Sequence, residues 1–440
     1  MSKLALRIFI LYSIIFTSQK FLDVFLGGLS SPIKLLLIFI LWAVVFGLYW
    51  EKLTSKERSV ADVCLVLLLF LLISAASISL LVHQIPIIIV TYVAISYLSF
   101  YPLIYLIIYL KRNPKFFYKL LSFSVALYIF ISVGIVFDSY GVLTKLPILG
   151  QRITALEEQS EKSEVYLYRG DQRRGSFFME SSTIVFPVLS SGFLTLTMLN
   201  SLFVNKKTQL FKNVWLNSAI IWLACFFSLS RTPLYLISVM IFYLLAKTVQ
   251  IGTTKNLLRQ ITFAILLVTL IVASTQVQSA LYQQLDQSAV DAFNSGISSE
   301  EGGNQKRFLA WAEGLQLFTD SESWLGYGLG TSRVGLDEYL GRQARYHYES
   351  SLLSSFSEAG IFGILIETLP LLVVIYIVVK YRINSLFLVW ALLFVINIFA
   401  APITAYSTMF CRYLGMGLCI AYIVPYRQQP KQPRIIYQQQ

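Results

Sequence analysis

Apolar stretches of 17 to 25 residues recur along nearly the whole 440-residue chain, and each is long enough to cross about 30 Å of hydrocarbon as an α-helix. Twelve such stretches are visible, at roughly 4–20, 33–50, 59–82, 86–110, 117–137, 183–203, 214–230, 232–249, 258–278, 359–380, 384–402 and 406–425. At about 20 residues each they use roughly 240 positions. With 56% hydrophobic and 13% charged residues, the chain lies outside the soluble globular range and has little left for a separate soluble core. The expected fold is an all-α, polytopic membrane helix bundle of about 12 transmembrane helices, a single domain over residues 1–426.

Charge gives this bundle an orientation. The net charge of +12 gathers in alternate connections, the positive-inside pattern. Lys52, Lys56 and Arg58 follow the second span; Lys111, Arg112 and Lys115 the fourth; Lys206, Lys207 and Lys212 the sixth. Lys255 and Arg259 follow the eighth, Lys380 and Arg382 the tenth, and Arg427, Lys431 and Arg434 end the chain. Lys20 and Lys34, flanking the first outer turn, are exceptions too few to reverse the pattern. Both termini are therefore expected in the cytoplasm, with no nucleic-acid partner, since the basicity is topological. Met1 to Gln19 lacks a small-residue cleavage site and reads as a signal anchor. The Gln/Pro-rich segment 427–440 reads as a disordered cytoplasmic tail. Cys64, Cys225, Cys411 and Cys419 all fall inside spans, so they are expected to be buried fillers rather than a disulfide framework.

Two outer connections are long, 138–182 and 279–358. The first holds six basic residues (Lys145, Arg152, Lys162, Arg169, Arg173, Arg174) against seven acidic ones, a net of −1; the second is more acidic. The positive-inside rule does not explain their arginines. No internal repeat is visible. In the second loop, "NQKRFLAWAEGLQLF" sets Phe308, Trp311, Leu315 and Phe318 at helical spacing, an amphipathic helix on the outer surface. "GYGLG" (326–330) is a glycine-rich turn, after which helical patterning resumes into the tenth span. A packed helical cap over the bundle explains these features equally well.

Several residues can carry chemistry, each with a plainer reading beside it. Arg231 lies in the short outer turn "SLSRTP", just ahead of Pro233 in the first turn of a span. There it either snorkels or grips two oxygens of a diphosphate. Arg173 and Arg174 in "RRGSFFMESS" form either an interfacial aromatic belt with flanking charge or a second cationic patch. Arg307 and Arg345, singly, are solvated charges; with Arg231 and the adjacent pair Arg173 and Arg174 they make four arginine positions on one outer face, which suit a polyanionic substrate. His347 and Glu349 are candidate general bases, although Glu349 also stands four residues after Arg345 and can simply pair with it. Glu367 and Arg412 sit inside spans and are expected to face the bundle interior; Asp62 is expected at the inner interface. The sequence shows no metal cluster, phosphate-cradling loop or nucleophile elbow.

Four of these segments together resemble the O-antigen ligase and polysaccharide polymerase superfamily of bacterial envelopes. "RRGSFFMES" is similar to its arginine, aromatic and acidic stretch before a mid-chain span, and "SLSRT" to its Ser-Arg turn. "RFLAWAEGLQLFTDSESWLGYGLG" resembles its Arg, Trp, Gly-x-Gly pattern, and "ESSLLSSFSEAGIFG" its Glu-x-Gly-x-x-Gly stretch. The resemblance spans roughly residues 170 to 380. With Glu358-Ala359-Gly360 laid on the family's Glu-x-Gly, Glu349 occupies the position where ligases carry histidine, and His347 lies two residues early. That favours a polymerase.

The resemblance implies a GT-C-like, metal-independent glycosyltransferase without cofactor in the bacterial cytoplasmic (inner) membrane, its active site facing the periplasm or exterior. The donor would be a glycan on undecaprenyl diphosphate and the acceptor the next lipid-linked repeat unit of O-antigen or other surface polysaccharide. Membrane lipids and a chain-length regulator protein are the further partners it suggests. Arg231 and Arg307 would hold the diphosphate with Arg173, Arg174 and Arg345 assisting, Glu349 would be the base with His347 second, and the 279–358 loop would act as lid. Two rivals are carried alongside. An O-antigen ligase handing the finished glycan to a lipid or protein acceptor uses nearly the same chemistry. A flippase or secondary transporter instead predicts paired mid-membrane charges and broken helices.

Overall fold

A computed structural model describes residues 2–17, 24–26, 30–53, 55–147, 150, 168–169, 172–173, 185–203, 214–227, 324–332, 351–381 and 406–423. Their backbone forms α1 (Ser2–Thr17), α2 (Ser30–Tyr49), α3 (Ser55–Leu81), α4 (Ile87–Leu98) and α5 (Pro102–Lys111). These are followed by α6 (Pro114–Ser139), α7 (Val185–Leu202), α8 (Val214–Phe227), α9 (Ser351–Tyr381) and α10 (Tyr406–Ile423). A two-residue antiparallel ladder, β1 (Tyr168–Arg169) with β2 (Gln172–Arg173), lies against α6. Helix is what such sequences must form, because hydrocarbon offers no water to unpaired backbone groups. By length and composition Arg58–Leu81, Ile87–Lys111, Pro114–Ser139 and Leu352–Tyr376 are apolar enough to cross a membrane, the last counted across a turn at Gly360, and the protein is membrane-embedded. The spans expected at 232–249, 258–278 and 384–402 and the tail 427–440 lie outside the described residues.

The bundle turns around α5, in which every residue from Pro102 to Leu110 is buried, as a helix apolar on all sides requires. It touches α1, α2, α3, α6 and α10. On α3 the pattern is two-sided: Val63, Val66, Phe70 and Ile73, spaced three and four apart, are exposed, while Ala61, Cys64, Leu68, Leu72 and Ala75 are buried. The first face is shaped for lipid and the second for the core. All four cysteines are buried and free, as expected of fillers.

Where the sequence predicts one helix over 86–110, the chain breaks between α4 and α5. Pro102 has no N–H to give the Leu98 carbonyl, which takes the Tyr101 N–H instead at 3.0 Å. The amides of Leu103 and Ile104 likewise reach back only three residues, to Phe100 and Tyr101, a local 3₁₀ turn. Beyond the break, tyrosine hydroxyls fasten α5 to α3. Tyr101 donates to the Ala61 carbonyl and Tyr105 to Asp62 Oδ1 at 2.7 Å. Asp62 also accepts from Arg58 Nε at 3.2 Å, and the guanidinium lies 4.1 Å over the Trp50 ring.

Small residues let helices approach closely where a membrane bundle packs by contact rather than by water exclusion. A Cβ on Gly192 of α7 would stand 2.6 Å from Tyr128 Cβ of α6, whereas one on Gly47 would meet nothing within 4 Å. Gly192→Val is therefore expected to cost about 1–3 kcal/mol through overpacking, lowering the melting midpoint of the detergent-solubilised protein. Gly47→Ala should leave that midpoint unchanged in the same measurement.

Candidate functional site

The stretch α9 is two helices that abut at Gly360. Gly360 sits at φ 56°, ψ −135°, left-handed backbone that glycine alone tolerates cheaply. In a straight helix Ser355 and Glu367 would stand about 18 Å apart, yet the Ser355 hydroxyl donates to Glu367 Oε1 at 3.1 Å. A Cβ on Gly363 would lie 1.8 Å from the Ser355 carbonyl oxygen. The chain thus reverses at Gly360, and residues 351–359 run back along 361–381. Sequence reasoning assigns 351–358 to the outer loop. Instead this stretch is helical, with Ser355, Phe356, Ser357 and Glu358 buried. Its serines depress hydropathy, but the Ser355 hydroxyl finds hydrogen-bond partners inside the bundle.

A helix that stops inside protein leaves its last carbonyls open, and the glycine-rich turn fills them. The Tyr327 N–H donates to the Ser357 carbonyl at 2.7 Å and the Gly328 N–H to the Glu358 carbonyl at 2.9 Å. Gly326, Gly328 and Gly330 all have positive φ, at 76°, 107° and 93°. A Cβ on Gly326 would stand 2.6 Å from the Glu358 carbonyl oxygen, and one on Gly360 only 1.9 Å from that of Trp324. Backbone meets backbone on both sides, so neither neighbour can yield. The turn is bolted further by Ser332, whose hydroxyl donates to Glu358 Oε1 at 2.7 Å. On its other side the Leu329 N–H donates to Ser79 Oγ at 2.9 Å, and Gly328 packs against Ile85 and His83. The two glycine motifs singled out in the sequence are thus the two halves of one joint, seated on the connection between α3 and α4.

One helical segment beyond that joint lies a buried ionic clamp. Arg412 of α10 donates through both terminal nitrogens to Glu367, Nη1 reaching Oε1 at 3.2 Å and Nη2 bonding Oε2. Glu367 is fully buried and Arg412 nearly so. As a carboxylate only accepts, the Ser355 proton goes to Glu367, and the 2.9 Å contact between Ser355 Oγ and Tyr97 Oη has tyrosine as donor. Tyr413, next to Arg412, bonds the Tyr97 carbonyl through its hydroxyl.

Of the expected site residues, Arg174, Arg231, Arg307, Arg345, His347 and Glu349 lie outside the described residues. Arg173 is placed by its backbone alone, paired with Tyr168 across the ladder that rests on α6. The expectation that Glu367 and Arg412 face the interior holds, and the two meet. Ser332, Ser355, Tyr97 and Ser79 gave no signal in the sequence, because hydroxyls are common in spans and mostly bond their own helix, as Ser191 does to Pro187. Only their partners, up to 258 positions away, distinguish them.

Residues 216–368 match the sequence profile of the O-antigen ligase family, whose members are glycosyl-transferring enzymes. The match starts in α8 and ends just past Glu367, taking in Arg231, Arg307, Arg345, His347, Glu349 and both halves of the glycine joint. Arg173 and Arg174 fall outside it. No curated protein matches the chain.

The joint makes a direct prediction. Gly360→Ala must place a side chain at positive φ, roughly 1–2 kcal/mol, and drive it into the Trp324 carbonyl. The purified protein should unfold earlier in detergent. Ser332→Ala leaves a buried carboxylate short of a donor, about 1–3 kcal/mol, so its midpoint should fall between those of Gly360→Ala and the parent.

Proposed function

We propose, from the match of residues 216–368 to the O-antigen ligase profile, that the protein polymerises lipid-linked oligosaccharide repeats into a surface polysaccharide. The donor is a glycan on undecaprenyl diphosphate, and the site faces outward from the bacterial cytoplasmic membrane. In this reading residues 1–426 are one transmembrane domain of about 12 spans, GT-C-like, with cytoplasmic termini and a helical cap from the loops 138–182 and 279–358. The observation that carries the reading is that one family match covers the Ser-Arg turn, the Arg-Trp-Gly-x-Gly stretch and the Glu-x-Gly stretch, the last two of which the fold locks together.

The chemistry follows from the residue types. A sugar hydroxyl of the acceptor attacks the anomeric carbon of the donor. The new C–O bond forms as the bond to the diphosphate breaks, and the hydroxyl proton passes to a base. Glu349 takes that proton, with His347 as second candidate, a contribution of roughly 10²–10⁴-fold. Arg231 and Arg307 stabilise the charge gathering on the leaving diphosphate, helped by Arg173, Arg174 and Arg345. The arginines supply the charge a metal ion provides in other transferases. The partners are lipid-linked glycans, membrane lipids and a chain-length regulator protein.

A second reading, transfer of the finished glycan to another acceptor, is favoured by the family profile itself, which is described as a ligase. Glu349 standing where ligases carry histidine favours polymerisation. The buried Glu367–Arg412 pair and the helix breaks at Pro102 and Gly360 are features that a transporter also has; the family match weighs against that reading.

A strain lacking the gene separates the three, with surface glycan run on a gel beside the extracted lipid-linked pool. Surface material stopping at a single repeat marks a polymerase, and long chains held on the carrier mark a ligase. Single repeats kept on the cytoplasmic side mark a transporter and overturn the proposal. In the same strain Arg231→Ala, Arg307→Ala and Glu349→Gln are each expected to abolish polymer at equal membrane abundance. Transfer by the purified protein should persist in excess EDTA.

A further inference from the structure

A buried ion pair is an odd choice for holding helices together. Taking both charges from water costs so much that an apolar pair of similar volume is often as stable or more so, while removing one partner alone strands a buried charge. Glu367 and Arg412 therefore need a reason beyond stability, and their geometry offers one. The guanidinium fork holds both carboxylate oxygens and fixes the direction of the one that Ser355 reaches at 3.1 Å. Ser355 belongs to the short helix 351–359, on the far side of the Gly360 reversal. Its hydroxyl is also met by Tyr97 at 2.9 Å, and the Tyr97 carbonyl by Tyr413. One serine hydroxyl thus sits between an ionic clamp on α10 and a tyrosine on α4. The short helix is held at its C-terminal end, two and three residues beyond Ser355, by the glycine turn. Between these two attachments its place along the bundle is fixed.

What the short helix leads from is given by the sequence. Glu349 and His347 precede Ser351 by two and four residues, and two residues of chain span at most about 7 Å. A rigid register for 351–359 therefore bounds where these groups can stand.

We propose that Glu367 and Arg412 are positioning residues: through Ser355 they set the register of helix 351–359 against the bundle, and so the placement of the chain that enters it. The consequence for catalysis rests on the glycosyl-transfer reading above; the register itself does not. Ser355 is the gentle lever, since its loss removes one hydroxyl and leaves the ion pair intact. Glu367→Leu combined with Arg412→Leu is the stronger one, replacing the clamp by apolar volume.

The test uses the full-length chain in membranes of the strain lacking the gene. Ser354→Cys, on the short helix and partly exposed, reports register through its rate of labelling by a water-soluble maleimide, the native cysteines being buried. Ser355→Ala and the double leucine variant are expected to change that rate by about threefold or more, as local opening or sliding would. Ser355→Thr, which keeps the hydroxyl, should restore it at matched abundance and melting midpoint. In the chain without the cysteine, Ser355→Ala should lower polymer output by about tenfold, the scale of a group misplaced by a fraction of an ångström or more, and Ser355→Thr should recover it. Equal labelling rates in parent and Ser355→Ala would overturn the proposal, even if the double variant failed to fold. A changed rate with unchanged polymer would keep the register and remove Glu349 and His347 from the reaction. Absence of any glycan transfer by the parent would fail the functional reading alone, with the labelling still deciding the register.

Discussion

A helix that ends inside a membrane protein must give its last carbonyls to something, because neither lipid nor packed side chains will take them. Here the helix ending at Ala359 gives the carbonyls of Ser357 and Glu358 to the amides of Tyr327 and Gly328. Everything at this end of the bundle follows from that exchange. The turn must come within backbone contact, so it is glycine at 326 and 328. The chain must leave the helix at once, so Gly360 is left-handed and the two halves of α9 lie side by side. Because the turn also reaches Ser79 and Ile85, the reversal is tied to the connection between α3 and α4 rather than to its own helix alone.

The break at Pro102 serves the same assembly from the other side. In an unbroken helix the Tyr97 carbonyl would accept the Tyr101 N–H. With Pro102 pulling the ladder into a 3₁₀ turn, that N–H goes to Leu98, and the Tyr97 carbonyl takes the Tyr413 hydroxyl. Its side chain then meets Ser355. Two backbone irregularities, one from proline and one from glycine, are thereby joined through tyrosines and a serine around one buried ion pair. Such a network resists partial loss, since each polar group left alone in a dry interior is costly.

Much of this was legible in the sequence, and the limit is physical. Periodicity and apolar runs identify helices because they report burial, and intramembrane charges identify Glu367 and Arg412 because hydrocarbon forces them inward. "GYGLG" was readable as a turn from its glycines. What composition cannot report is a pairing: Ser332 with Glu358, or Tyr97 with Ser355, needs the fold. Nor does a glycine within an apolar run announce positive φ; "EAGIFG" reads as the start of a span at 359, although it is the corner of a hairpin. Serines at 351, 354, 355 and 357 pushed the stretch toward loop because hydropathy counts an unbonded hydroxyl. Arg174, Arg231, Arg307, Arg345 and Glu349 lie outside the described residues.

Whether this joint gates or merely holds can be argued from its hydrogen bonds. Transporters leave the carbonyls and amides of their broken helices facing a cavity, where ion and substrate complete them in turn. At Gly360 the chain's own turn completes them, and the glycines that make this possible leave no room for the backbone to part and rejoin in another register. The carboxylate of the ion pair is filled in the same way, since Arg412 engages both oxygens of Glu367 and Ser355 takes a further position on one of them. A carboxylate so occupied is poorly placed to pick up a proton or a cation and release it. The arrangement is that of a fixed support, which suits the proposed transferase and fits poorly with a gate that must present two faces in alternation.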